Sequence, residues 1–197
     1  MIDAAANARK SAQTIVERLK ETEAESEAAR VLSPRAVALL HEAGLTRIVS
    51  PAAYGGHQLP VRALVEAERV VAHGSPAASW VLMVCAAHTF IAGRLPRAGQ
   101  DEIFGGDPGM LIPGVPSPRG TCRRTAGGYL LDGRWPYASA ADHGDWMLLG
   151  CRGVRNAAGE SCPSLIVVMP KADVTIDDTW HTLGMRGTGS KDVVLDG

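Results

Sequence analysis

Residues 133 to 146 read GRWPYASAADHGDW, with Trp135, Tyr137 and Ser139 at every second position. In a strand, that spacing sends all three side chains to one face. Two large rings give apolar contact area and a hydroxyl gives one directed hydrogen bond, a face suited to a flat, conjugated ligand. A packed antiparallel sheet presents the same pattern, so the core reading stands beside the ligand reading. A second set lies upstream, where Trp80 and His88 are eight residues apart. On a helix they are separated by about 80° in projection and share one broad face. An imidazole there can orient a phenol or accept its proton, since it titrates near neutrality. The plainer alternative is a histidine satisfied within an apolar helix. The third set is GMRGTGS, Gly184 to Ser190. Its amides and the Thr188 and Ser190 hydroxyls suit a phosphate or a sugar-alcohol chain, or simply a turn between strands. Trp180, just before it, can cover a ring edge or plug the core.

Other chemistries lack support. The 197 residues carry a net charge of −1 with no basic run, which gives no footprint for nucleic acid or an anionic membrane. The six histidines and four cysteines lack metal-ligand spacing, so no metal is expected. Cys85, Cys122, Cys151 and Cys162 read as reduced, buried thiols of a cytoplasmic protein. The Ala- and Glu-rich N-terminus has no signal-peptide core, and the apolar stretch over 77–92 is short for a bilayer. No P-loop, dinucleotide-binding glycine motif, zinc-protease motif or nucleophile elbow occurs.

The elements that must position these residues change character near residue 108. Helical signals dominate before it, giving a helical domain over 1–107. Residues 3–32 suggest one solvated helix with Ile15, Val16 and Leu19 as its apolar stripe. Ser33-Pro34 and Ser75-Pro76 each read as an N-cap followed by proline at the first helical position. Further helices are expected over 61–73 and 97–104. Strand period and Gly, Pro and Asp punctuation follow over 108–197. Strands are expected near 110–115, 121–125, 129–137, 145–152, 164–170, 173–177 and 191–195, in a mostly antiparallel sheet or small barrel. Helices then strands, segregated along the chain, make the class α+β.

Four segments in order, LHEAGLTRIVSPAAYGG, SPAASWVLMVCAAHTF, GGYLLDGRWPYASAADHGDW and LGMRGTGSKDVVL, resemble the acyl-CoA dehydrogenase-like superfamily over roughly residues 30 to 197. The closer likeness is to its flavin-dependent monooxygenase branch, the oxygenase components of two-component aromatic hydroxylases. That resemblance implies an N-terminal helical domain, a central β-barrel domain and a C-terminal four-helix bundle, the last absent from this sequence. It implies reduced FMN or FAD delivered by a separate flavin reductase, reacting with oxygen to a C4a-hydroperoxide that hydroxylates a small aromatic substrate. Carried over by position, Ser139 would be catalytic beside flavin N5, with Trp135 and Tyr137 near the ring. Trp180, Thr188 and Ser190 join them as cofactor-binding candidates. Trp80 and His88 would face the substrate, His88 with a catalytic role. The intact family implies a homo-oligomer, and a chain supplying the missing bundle is an expected partner.

Two departures bear on the branch. GVPSPRGTCRRTAGGY lacks the acid and the Gly-Ser-Asp that dehydrogenases carry before the barrel hairpin, which favours the hydroxylases. Ala140 stands where hydroxylases commonly have glycine. An acyl-CoA dehydrogenase-type FAD oxidoreductase and a non-catalytic remnant that binds a partner stay open, as does whether this chain alone is an enzyme.

Overall fold

The computed structural model describes residues 4–196. Its helices are α1 (Ala4–Gln13), α2 (Val16–Lys20), α3 (Glu23–Ala29), α4 (Pro34–Glu42), α5 (Val61–Gly74), α6 (Pro76–Ala92) and α7 (Arg97–Phe104). The single helix expected over 3–32 is instead three short ones. Threonines mark both breaks: Thr14 Oγ1 donates to Ser11 O and Thr22 Oγ1 to Leu19 O, each at 2.7 Å. Such local side-chain bonds compete with the helical ladder. The breaks let the chain wrap, burying Ile15 and Leu19 in one core with Leu32, Leu39, Leu40, Val71 and Val81. Both expected caps form, Ser33 Oγ accepting from Ala36 N at 3.2 Å and Ser75 Oγ from Ala78 N at 3.0 Å.

Among the described residues six strands follow: β1 (Gly114–Thr125), β2 (Gly128–Ala138), β3 (Trp146–Gly153), β4 (Leu165–Pro170), β5 (Thr175–Asp177) and β6 (Lys191–Leu195). Their order is β4-β3-β1-β2-β6-β5. Every neighbouring pair is antiparallel except β1 and β3. The two strands expected at 110–115 and 121–125 are one long strand. It runs through Pro116 and Pro118 because its register against β3 shifts there, where proline has no N–H to give. Residues of both edge strands, Val167 of β4 and Ile176 of β5, pack on the same cluster around Trp135, Met147, Leu149 and Val193. The sheet therefore curls around its own core.

All four cysteines are free and buried. Burial pushes the Cys122 and Cys151 thiols up to about 11 and Cys85 to about 12, which keeps them protonated and unreactive. Among the described residues no helix is long and apolar enough to cross a membrane, and no cluster of His, Cys, Asp and Glu could hold a metal.

Candidate functional site

The site begins at a flaw in β2. Trp135 lies opposite Val193 and Ala138 opposite Lys191, so β2 spends one more residue than β6 between the two pairs. Tyr137 absorbs the excess at φ +67°, in the left-handed region that a bulky residue rarely adopts. This bulge undoes the alternation. Trp135 turns inward and is fully buried, its indole donating to Gly150 O at 2.6 Å. Gly150 lies opposite Pro118, which has no N–H to offer it. Tyr137 turns outward and is 69% exposed. The common face expected for Trp135, Tyr137 and Ser139 is thus corrected, because the bulge rotates the strand between the first two.

Ser139 lies just past the end of β2, and Ala140 after it is also left-handed at φ +62°. A glycine would hold that conformation without steric cost, which gives the Ala140 departure a physical meaning. Ser139 is buried because α6 covers it, with Trp80 Nε1 donating to Ser139 Oγ at 2.9 Å. From the other side come Ser190 Oγ, 2.8 Å from Ser139 Oγ, and Thr188 Oγ1, 2.7 Å from Ser190 Oγ. Thr188 Oγ1 in turn donates to Met185 O at 2.9 Å. These groups line a cleft of about 340 Å³ with Trp80, Tyr137, Trp180 and Met185. Tyr137 and Trp180 meet edge to face, centroids 6.1 Å apart and planes at 72°.

The loop holding Trp180 and Met185 is anchored to the helical layer. Arg30, left-handed at the end of α3, grips Asp178 with Nη1 at 2.7 Å and Nη2 at 2.6 Å, and Nη1 also donates to Trp180 O at 3.1 Å. That fork holds the Asp178 carboxyl below its ordinary range. Arg186 Nε donates to Glu27 O at 2.9 Å and Gly187 N to Glu27 Oε1 at 3.2 Å. The amides of Gly187, Thr188 and Gly189 all have acceptors within the protein. They are spent on holding the loop, and the phosphate-cradling role open to GMRGTGS loses those donors. Arg30, Glu27 and Met185 escaped the sequence reading. Arg30 lies 148 residues from Asp178, and Met185 carries no signal beyond a left-handed backbone that only coordinates reveal.

Trp80 and His88 do not share a wall. Trp80 is 45% exposed over the cleft, whereas His88 is buried and does not line it. His88 Nδ1 is 2.8 Å from Ile112 O. A carbonyl only accepts, so Nδ1 carries the proton. Burial lowers the imidazole pKa, opposed in part by that bond, so the ring is neutral and Nε2 presents a lone pair.

The geometry offers three aromatic rings around a directed hydroxyl, open on one side. No family model matches the chain. It is 34% identical over 155 residues to the pigment production hydroxylase of Rhodococcus erythropolis, covering 77% of this chain and 39% of that protein. It is 31% identical over 172 residues to the oxygenase component of the FADH2-dependent resorcinol hydroxylase of a Rhizobium species, covering 87% of this chain and 42% of that one. The solved structure of XiaF from a Streptomyces species, in complex with FADH2 and glycerol, superposes with a TM-score of 0.90 and 37% identity. That match covers 97% of this chain and 48% of XiaF. The chain thus spans about half the length of the relatives it matches. The shared fold and these identities agree, and over its length the chain belongs to the family of the oxygenase components of flavin-dependent monooxygenases.

Proposed function

We propose that this chain forms one wall of a reduced-flavin site in an oxygenase that hydroxylates a small aromatic compound, with a separate reductase supplying the flavin. One observation carries the reading: Trp80, Tyr137 and Trp180 surround Ser139 in a mostly apolar cleft. The residues fit an isoalloxazine, since rings supply flat contact area and a hydroxyl meets the polar edge of the heterocycle. Reduced FMN or FAD, when bound, supplies the two electrons that activate oxygen. The chain's residues do the rest. Trp80 and Trp180 exclude water from the ring faces, and Ser139 orients the heterocycle through one hydrogen bond. His88 lies outside this cleft, so a part for its neutral imidazole in drawing a phenolic proton requires the substrate to sit farther along α6 than the flavin. Tyr137 at 69% and Met185 at 38% exposure leave the cleft open on its outer side. Further protein, either more of the same polypeptide or a partner chain, closes it in this reading.

Anaerobic titration of the chain with reduced FMN and FAD, then an oxygen pulse with a phenolic substrate, tests the proposal. The expected result is binding of reduced flavin by the chain and, with the protein that closes the cleft also present, hydroxylated product that His88→Ala loses while still binding flavin. Reduction of bound FAD by an acyl-CoA thioester would overturn it in favour of a dehydrogenase.

A further inference from the structure

Two thiols meet in the sheet core, away from the cleft. Cys122 and Cys162 are 40 positions apart in sequence, yet their sulfurs lie 3.4 Å apart. Both also reach one carbonyl, Pro163 O, Cys122 Sγ at 3.4 Å and Cys162 Sγ at 3.3 Å. A carbonyl has two lone pairs, so it takes both S–H groups and leaves no proton between the sulfurs. The two residues are held differently. Cys122 sits in β1, paired with Leu131 of β2 and Gly153 of β3. Cys162 lies in the connection between β3 and β4, outside any helix or strand. That connection comes close because Gly153 has no side chain: a Cβ there would collide with Cys162 O. Cys122 and Cys151 are fully buried, whereas Cys162 keeps 8% exposure and is the most open of the three.

We propose that Cys122 and Cys162 form an oxidation site, in which a hydroperoxide converts the thiol pair to a disulfide that staples the β3–β4 connection to β1. The proposal goes beyond the flavin reading and does not depend on it. Cys162 Sγ takes one oxygen of hydrogen peroxide and becomes a sulfenic acid as one water leaves. Cys122 Sγ then displaces that oxygen, the S–S bond forms, and the Cys122 proton departs with the hydroxyl as a second water. The two sulfurs together give up two electrons and two protons, and one peroxide becomes two waters. Buried and protonated, Cys122 is inert toward oxidants in solution, but the sulfenic acid is an electrophile already in contact with it. Closing the sulfurs from 3.4 Å to the bonded distance of about 2.05 Å takes a movement of roughly 1.4 Å. The irregular connection supplies it, while β1 stays fixed between its neighbours.

The test treats the folded, fully reduced chain with hydrogen peroxide, blocks the remaining thiols in denaturant with an alkylating reagent, and maps peptides without reduction. Two of the four thiols should be withdrawn from the reagent, and a Cys122–Cys162 linked peptide should appear, lighter by two hydrogens than its separate parts. Dithiothreitol should restore all four. Because the link closes a loop of 40 positions, Tm should rise by roughly 4–10 °C in the oxidised chain. Cys162→Ser lies outside the strands and should abolish both the link and the Tm rise, while Cys151→Ala should keep both. Three outcomes each overturn the proposal: a link through Cys151 or Cys85, oxygen added to Cys162 without a link, or thiols unchanged after the exposed Met185 has become a sulfoxide. A Cys122–Cys162 link with an unchanged Tm would overturn the stapling.

Discussion

Trp135→Phe distinguishes a tryptophan that builds the sheet core from one that touches a ligand. The indole is fully buried and its Nε1 donates to Gly150 O at 2.6 Å. Phenylalanine fills most of the volume but removes that donor from a buried carbonyl opposite a proline, a loss of about 1–2 kcal/mol. The two ring carbons that vanish with the indole are worth roughly 1.5 kcal/mol of apolar burial. Together the variant should be less stable by about 3 kcal/mol, or roughly 6–12 °C in Tm for a domain of this size. Urea unfolding followed by circular dichroism measures this, with the midpoint moving and the slope unchanged. Flavin affinity, measured in the folded protein well below the transition, should stay within about twofold. An unchanged midpoint together with a large loss of flavin affinity would refute the placement of Trp135 in the core.

Three further outcomes are expected. Gly120→Ala should cost about 2–3 kcal/mol or prevent folding, since its Cβ would meet Trp135 Cζ2 at 2.0 Å and a packed indole cannot step aside; a wild-type melting curve would contradict this. Glu68, with a buried Oε1 that has no hydrogen-bond partner, is raised by desolvation from 4.5 to about 7. The folded state thus prefers the protonated acid: stability is fully present below pH 4.5 and declines as pH rises through about 7. Allowing for solvent screening of a half-buried group, the decline is about 1–2 kcal/mol. Glu68→Gln should remove it, and an unchanged pH–stability slope in that variant would show the ionisation to be harmless. Arg30→Ala releases Asp178 and Trp180 O, so amide hydrogen exchange over residues 178–185 should accelerate. Arg30→Lys should accelerate it too, since an ammonium cannot reproduce the two-pronged grip; protection at wild-type level in both would exclude the clamp.

Much of the scaffold was legible. The Ser-Pro pairs at 33–34 and 75–76 start α4 and α6 because capping needs only neighbours in sequence, and the change to strand period after residue 108 marks where the sheet begins. The sequence suggests one long N-terminal helix, whereas Thr14 and Thr22 break it through hydroxyl bonds that weak helix propensities do not reveal. In the sequence of the 12-residue β1 two prolines look like an end, yet a register shift carries the strand past them.

Residue types and order in the sequence determined which groups could meet a flat ligand: Trp80, Tyr137, Ser139, Trp180, Thr188 and Ser190, all of which line the cleft. Only the tertiary structure decided that Trp135 leaves that set for the core, that His88 lies apart from Trp80, and that Thr188 and Ser190 face Ser139. The reason is physical. Period-two alternation is a local rule, and a single bulge at Tyr137 reverses it by one backbone rotation, into a left-handed conformation that its residue type does not announce. The hydroxyl chain depends on contacts between residues 51 and 59 positions apart, whose closure is set by the packing of α6 and the β6 loop on β2. Such closures leave no pattern in a sequence window.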